Sequence, residues 1–141
     1  ATEAAAGQTI DAPLTTIDHY TYVNDQLGGS DPVRVANNLS AVGVDPLPHI
    51  VEGESTEIPP YVEDVGMLFV DSDHRPEALH AELDVWLPVL ADEAVLAFHD
   101  YAWEDRFLGM TEAIDTRIGA DPQWERIGAV GHMVAFKRGG P

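Results

Sequence analysis

The segment Val65–Tyr101 carries two apolar runs, and polar residues follow each of them directly. The first run is Met67–Val70 and the second is Ala94–Phe98, with an amphipathic stretch that begins at a proline between them. This order predicts strand, helix, strand. Because open α/β sheets bind ligands at the carboxyl ends of their strands, the polar side chains that follow the two runs are predicted to meet at one edge of a sheet: Asp71, Asp73, His74, His99 and Asp100.

The rest of the chain continues the alternation of strands and helices. Strands are predicted at Leu14–Ile17 and His49–Val51, helices after Asp31, over Pro76–Leu90 and over Arg106–Ile118, and an antiparallel hairpin over Trp124–Lys137. Tyr22–Ser30 is predicted to be a loop, because Gly28 and Gly29 disfavour regular secondary structure there. This pattern predicts an α/β fold with a doubly wound, mostly parallel sheet and a C-terminal antiparallel hairpin. The length of 141 residues fits a single domain over residues 1–141.

Composition excludes several classes of site. The chain has no cysteine, so disulfides, thiolate metal sites and cysteine nucleophiles are all ruled out. No apolar run approaches the length of a membrane span, and no signal peptide is visible. These features predict a cytoplasmic protein that has no membrane partner.

The charge is strongly negative, with 25 acidic and 7 basic residues and a net charge of −18. Such a charge repels a phosphate backbone, so nucleic acid is not an expected partner. The acidic residues are spread through the chain, and we interpret them as an adaptation to high salt, as in halophiles, because salt screens the self-repulsion. The alternative is an ordinary acidic protein from a GC-rich genome, which also favours arginine over lysine.

Three motifs in the central segment carry a family resemblance. They are Phe69-Val70-Asp71-Ser72-Asp73-His74, Trp86-Leu87-Pro88-Val89-Leu90 and Phe98-His99-Asp100-Tyr101. Together with the element order they resemble a class I S-adenosylmethionine-dependent methyltransferase. The closest resemblance is to the small-molecule O-methyltransferases of the macrocin and mycinamicin type and their cephalosporin-hydroxylase-like relatives. The resemblance implies a Rossmann-like fold and the transfer of a methyl group to a hydroxyl of a small molecule or sugar.

One part of the family pattern is missing. In the family, a first strand and a glycine-rich loop precede the strand that Leu14–Ile17 matches, yet no apolar run and no Gly-x-Gly stands upstream of Leu14. The sheet is therefore expected to lack its usual first strand. Three explanations stay open: a fragment, a truncated gene, or a second chain that fills the gap. An open sheet position would expose unpaired strand edges, so a homo-oligomer is expected.

The resemblance implies a set of residues that bind S-adenosylmethionine. Asp18 stands where the family places the acid that accepts hydrogen bonds from the ribose hydroxyls, and Gly53, Glu54 and Ser55 occupy the loop that borders the adenine. Asp71 is expected to lie near the cofactor as well. The structural alternatives are a turn-forming role for Asp18 and a plain solvent loop for residues 53–55.

The resemblance also implies a divalent metal at the two strand ends. In the metal-dependent members, one acid at the fourth strand and two residues at the fifth hold a magnesium ion, and Asp71, His99 and Asp100 occupy these positions. His99 replaces the usual carboxylate, and imidazole suits manganese, iron, zinc or nickel better than magnesium. The alternatives are a helix cap for Asp71 and a supporting role for His99.

Proton transfer is assigned by the resemblance to His74 or to Asp71, one of which would accept the proton of the substrate hydroxyl. Histidine suits this work because imidazole titrates near neutral pH. The alternative for His74 is a surface position at a helix start. Tyr101 and Trp103 are candidates for the wall of a substrate pocket, with the protein core as their alternative.

Two further classes of function stay open at this point. The first is a remnant of the methyltransferase fold that acts as a binding or assembly module, which the missing glycine-rich loop favours. The second is a metal-dependent enzyme that uses the same strand ends without S-adenosylmethionine. The retained acidic and histidine residues favour an enzyme over a remnant.

Overall fold

A computed structural model describes residues 14–20, 23–24, 28–29 and 31–139. The chain divides into two compact units, Ala1–Val62 and Glu63–Pro141. The expected single domain over residues 1–141 stays a prediction. The residues upstream of Leu14, where the family places its first strand and glycine-rich loop, lie outside the described residues. No helix in the described parts of the chain is long and apolar enough to cross a membrane.

The described residues of the first unit include four short strands and one α-helix: β1 (Thr15–Asp18), β2 (Val23–Asn24), β3 (Gly28–Gly29), α1 (Pro32–Ala41) and β4 (His49–Glu52). Strands β1 and β4 pair in parallel. The Asp31 side chain accepts a hydrogen bond from the Arg34 backbone at 2.8 Å and so caps α1, as predicted. The prediction of a plain loop over Tyr22–Ser30 was wrong in part, because β2 and β3 form an antiparallel pair there.

The second unit contains the elements that position the candidate site: β5 (Val65–Val70), α2 (Pro76–Trp86), β6 (Leu90–Phe98), α3 (Met110–Ile114), β7 (Trp124–Val130) and β8 (Met133–Arg138). Their strands form one sheet in the order β5-β6-β8-β7. Strand β5 is parallel to β6, whereas β8 is antiparallel to both β6 and β7. The predicted C-terminal hairpin is confirmed.

The core of the second unit forms around β6, which is buried on both faces toward its carboxyl end. Alternation on β5 is clearer, since Met67 and Phe69 are exposed while Leu68 and Val70 pack against the core. Fourteen buried side chains form one cluster: Leu79, Leu83, Leu90, Ala94, Leu96, Phe98, Tyr101, Met110, Ala113, Ile114, Ile118, Trp124, Val134 and Phe136. This packing holds the carboxyl end of β6 in a fixed position.

Two predicted helices are shorter than the sequence pattern indicates. Helix α2 ends at Trp86, and Leu87–Val89 continues as a 3-10 turn because Pro88 cannot donate the next hydrogen bond. The predicted helix Arg106–Ile118 begins only at Met110, because Gly109 adopts a left-handed φ of +82°. Arg106 and Phe107 therefore belong to the loop between β6 and α3, which matters for the site.

Candidate active site at the ends of two parallel strands

The site begins with the parallel pairing of β5 and β6, which aligns Val70 with Phe98. The backbone N–H of His99 donates to the carbonyl of Val70 at 3.0 Å, so the pairing continues one residue past β6. The residues that follow the two strands, Asp71 on one side and His99 and Asp100 on the other, therefore leave the sheet side by side. The prediction that they meet at one sheet edge is confirmed.

Four side chains converge at this edge. The Nδ1 atom of His99 lies 3.3 Å from Oδ1 of Asp71 and 3.2 Å from Oδ1 of Asp100. The Nε2 atom of His74 contacts Oδ2 of Asp100 and lies 3.8 Å from Oδ1 of Asp71. Each imidazole thus faces both carboxylates, and the group combines metal ligands with proton carriers.

The most deeply placed member is Asp100, whose side chain is only 6% exposed, against 48% for Asp71. Its backbone adopts a left-handed φ of +57°, and Ala102 does the same at +58°. Non-glycine residues in this region carry strain and are often found at functional sites. The turn that follows β6 therefore holds a buried carboxylate in an uncommon backbone conformation.

The arrangement fits a divalent cation. Ligand atoms from Asp71, His74 and Asp100 lie within 4.8 Å of one another. Both His74 Nε2 and His99 Nδ1 are buried ring nitrogens that make no hydrogen bond among the described residues, although carboxylate oxygens surround them. Buried polar atoms without a hydrogen bond call for an explanation. A cation beside His99 Nδ1 would supply one for that atom, whereas His74 Nε2 already contacts the Asp100 carboxylate.

Asp73, which the sequence placed at the same edge, does not join the cluster. Its carboxylate accepts hydrogen bonds from Nε of Arg75 at 3.0 and 2.9 Å, and it also accepts one from the Arg75 backbone. The hydrogen bond from the Arg75 side chain is the main reason that the pKa of Asp73 lies below its ordinary value. The neighbouring Ser72 hydroxyl turns to Glu82 of α2.

Aromatic rings of the loop after β6 flank the cluster. The imidazole of His74 stacks on Phe107 with ring centroids 4.0 Å apart and an interplanar angle of 17°. Trp103 stacks in the same manner on His132, at 4.4 Å and 11°. Phe107 falls within the helix predicted over Arg106–Ile118, and His132 within the predicted hairpin over Trp124–Lys137. Hydrophobic periodicity in the sequence cannot predict these contacts, since they join residues far apart in the chain.

Tyr101 lies in the protein core, which was the alternative to a position in the wall of a substrate pocket. It is 7% exposed, and its hydroxyl donates to Oδ1 of Asp115 at 3.0 Å. Burial, followed by the Asp115 carboxylate, raises the pKa of Tyr101 above its ordinary value of 10.0. Its backbone N–H donates to the His132 carbonyl at 3.0 Å, which ties the turn after β6 to the hairpin between β7 and β8.

Of the residues expected to bind the cofactor, Asp71 lies in the second unit, whereas Asp18, Gly53, Glu54 and Ser55 lie in the first, at the carboxyl ends of its two parallel strands. Asp18 ends β1 and pairs with Glu52 at the end of β4, and the Gly53 N–H donates to the Asp18 carbonyl at 3.0 Å. The exposed Asp18 carboxylate accepts a hydrogen bond from the Tyr20 backbone at 2.8 Å. Glu54 is exposed, and Ser55 begins a 3-10 turn. The structure thus brings Asp18 and residues 53–55 to one strand edge.

A mixed α/β fold with acidic strand ends is compatible with a class I S-adenosylmethionine-dependent methyltransferase. The chain belongs to the family described as "Methyltransferase domain", whose model matches residues 2–101. S-adenosylmethionine is the cofactor that this family implies. The predicted Rossmann-like fold class is confirmed by the strand order and by the structural neighbours.

Solved structures support the fold at low sequence identity. NovP, an O-methyltransferase, has a TM-score of 0.66 at 16% identity, with 88% of this chain and 59% of NovP covered. A proposed caffeoyl-CoA O-methyltransferase from Staphylococcus aureus gives 0.63 at 14%, with 89% and 64% covered. CalS11, a TDP-rhamnose 3'-O-methyltransferase, gives 0.59 at 17%, with 87% and 57% covered. The chain thus spans about three fifths of each neighbour. No curated protein matches this chain.

The network around Tyr101 predicts an alkaline loss of stability. Because the folded state favours the protonated phenol, its contribution is complete below the ordinary pKa of 10.0 and is lost as the pH rises through the raised pKa. Tyr101→Phe should lower stability at pH 7 by about 0.5–1.5 kcal/mol through the lost hydrogen bond. The same variant should show a smaller drop in Tm than the wild type at strongly alkaline pH.

Thermal melts across an alkaline pH series measure this difference, with Tyr61→Phe as the matched control outside the network. A Tyr101→Phe variant whose Tm falls with pH as steeply as that of the wild type would contradict the assignment.

Proposed function

We propose that this protein is an O-methyltransferase that transfers the methyl group of S-adenosylmethionine to a vicinal diol or sugar hydroxyl of a small molecule, with the help of a divalent cation. The observation that carries the proposal is the convergence of Asp71, His74, His99 and Asp100 at the ends of β5 and β6. The names of NovP and CalS11 support O-methylation, and the name of CalS11 gives a sugar nucleotide as its substrate.

The finer assignment is to the macrocin and mycinamicin type. Its support is the three motifs of the central segment, two of which end β5 and β6 at the site, while the third ends α2. The strand ends would engage the reacting oxygens of an acceptor and do not by themselves require a particular acceptor skeleton. We therefore specify only the reactive group of the acceptor, which is a hydroxyl beside a second oxygen.

Cofactor binding is proposed for the strand edge of the first unit. S-adenosylmethionine supplies an electrophilic methyl group on a sulfonium, and the protein chiefly positions donor and acceptor for an in-line displacement. The Asp18 carboxylate, oriented by its hydrogen bond from Tyr20, suits the ribose hydroxyls. Gly53, Glu54 and Ser55 would border the adenine, and Gly53 is held close to β1 by its hydrogen bond to the Asp18 carbonyl.

A cation is proposed between Asp71, His99 and Asp100. The Nδ1 atom of His99 is buried, makes no hydrogen bond among the described residues and lies between one oxygen of each carboxylate. Two carboxylates with one imidazole suit manganese, and magnesium is the alternative with its stronger preference for oxygen. Such an ion would supply Lewis-acid chemistry, since it lowers the pKa of acceptor oxygens bound to it.

His74 is proposed as the general base. The Asp100 carboxylate beside Nε2 favours the tautomer that carries its proton on that atom, which leaves Nδ1 to accept the proton of the acceptor hydroxyl. The Phe107 ring stacked on the imidazole limits its rotation. Asp71, the alternative base, would then hold the cation.

The cation assignment predicts which substitutions weaken metal binding. Asp100→Asn and His99→Gln should each lower the affinity for Mn²⁺ by at least about 10–100-fold, because each removes a ligand and losing even a residue that only supports a ligand costs that much. Asp73→Asn is the matched control, since Asp73 lies at the same strand end but pairs with Arg75. His74→Gln should retain Mn²⁺ binding, because the proposal uses His74 as the base and His99 as the histidine ligand, although His74 lies as close to the two carboxylates as a ligand would.

Titration of Mn²⁺ followed by electron paramagnetic resonance measures these affinities. Equal losses in Asp100→Asn and Asp73→Asn would contradict a site at Asp100. Loss of binding in His74→Gln with retention in His99→Gln would exchange the roles of the two histidines.

The base assignment predicts a selective loss of turnover. His74→Gln should lower kcat by about 100-fold or more, while His80→Gln, an exposed histidine on α2, should leave it unchanged. Transfer of a radiolabelled methyl group from S-adenosylmethionine to a panel of catechols and sugar diols, in the presence of Mg²⁺ or Mn²⁺, measures this.

A folded protein that methylates no member of the panel with either ion would contradict the proposed reaction. It would favour the reading of the chain as a binding module of methyltransferase fold.

A further inference from the structure

Arg106 differs from the other basic side chains near the site. Among residues 63–139, the other basic side chains make ion pairs or hydrogen bonds: Arg75 with Asp73, Arg117 with Asp84, Lys137 with Glu93, Arg126 with the Tyr101 hydroxyl, and Arg138 with two backbone carbonyls. In that part of the chain, Arg106 alone makes neither. A guanidinium that makes no ion pair or hydrogen bond among the described residues is unexpected in a protein with a net charge of −18.

The guanidinium is nevertheless held in a defined place. Its Cζ atom lies 4.9 Å from the centroid of the Trp103 ring and 5.3 Å from that of Phe107. These two rings meet edge to face at 5.7 Å. An arginine that rests on aromatic faces keeps its N–H donors for another group.

The loop that carries Arg106 is fixed at several points. The N–H groups of Arg106 and Phe107 both donate to the Trp103 carbonyl, at 3.0 and 2.8 Å. The Glu104 carboxylate accepts from the backbones of Gly109 and Thr111, at 2.9 and 3.2 Å. Glu104 is thereby engaged with the start of α3, and among the described residues no ion pair links Arg106 to the adjacent Asp105. The nearest acids in the sequence leave the cation unneutralised.

Arg106 also lies close to the proposed reaction centre. It contacts Phe107, and Phe107 stacks directly on His74, whose Nε2 contacts Asp100. A single aromatic ring therefore connects the unpaired guanidinium with the proposed base. An acceptor whose hydroxyl reaches the cluster would place its more distant groups within reach of this cation.

We propose that Arg106 is a specificity-determining residue that binds an anionic group, a carboxylate or a phosphate, on the acceptor. This inference rests on the proposed function, because it concerns the substrate of the same site. The guanidinium matches both anions with two parallel hydrogen bonds. In a protein that otherwise repels anions, a local unpaired cation is the feature that an anionic acceptor requires and a neutral acceptor does not.

The test compares two catechols of the same shape, protocatechuate, which carries a carboxylate, and its neutral amide. Calorimetric titration into the protein, with S-adenosylhomocysteine and Mg²⁺ present, should show that protocatechuate binds at least about tenfold more tightly, as expected for a charge-assisted contact. Arg106→Gln should remove this difference and leave the affinity for the amide unchanged. Arg106→Lys should retain part of it, because charge remains but the planar fork is lost.

Arg75→Gln is the matched control, because it makes the same change at a nearby cation that is already paired with Asp73. The inference is overturned if the wild type binds both compounds equally or binds neither, if Arg106→Gln keeps the preference, or if Arg75→Gln loses it equally. Methyl transfer to the amide is measured in the same samples. Methyl transfer without an Arg106-dependent binding preference overturns the inference about Arg106 and leaves the proposed reaction standing. An Arg106-dependent binding preference without any methyl transfer overturns the proposed reaction and leaves the anion-binding role of Arg106 standing.

Discussion

The parallel pairing of β5 with β6 is the constraint on which the candidate site depends. The register aligns Val70 with Phe98, and the hydrogen bond from His99 to Val70 extends it past the end of β6. Side chains alternate along a strand, so a slip of one residue would turn Asp71 away from Asp100. The register is held by the core around β6, where Leu96 and Phe98 are almost completely buried. The geometry of the site therefore depends on the packing that holds the β5–β6 register.

Charge explains how the cluster is arranged in so acidic a protein. Two carboxylates at one strand edge repel each other unless positive groups lie between them. Near Asp71 and Asp100, the imidazoles of His74 and His99 lie beside the two carboxylates, and the proposed cation would supply the positive charge. Asp73 avoids the repulsion by pairing with Arg75. Arg106 remains as a cation that rests on aromatic rings and not on a carboxylate.

Much of the fold was predictable because the core segments follow simple periodic patterns. The apolar runs before Asp71 and His99, and the alternation over the C-terminal hairpin, correctly predict β5, β6, β7 and β8. The helix predicted from Arg106 was wrong at its start, because the apolar spacing of Phe107 with Met110 fits a helix while the left-handed Gly109 interrupts it. Backbone conformation at a single glycine is not encoded in hydrophobic spacing.

The site was predictable to the extent that it follows strand ends. Asp71, His74, His99 and Asp100 come together as expected, whereas Asp73 leaves the group through its bidentate contact with Arg75. The stacking of Phe107 on His74 and the unpaired state of Arg106 could not be predicted, because both depend on how the loop after β6 folds back over the sheet edge. Contacts of this kind lie between residues that no local pattern connects.

We propose that the strand edge of the first unit binds S-adenosylmethionine and is not a remnant of the fold. Calorimetric titration of S-adenosylhomocysteine into the purified protein, in high salt and with or without a divalent metal, tests this most directly. The account predicts binding at micromolar affinity, which Asp18→Ala weakens. A protein that is shown to be folded and binds no S-adenosylhomocysteine under either condition would contradict it.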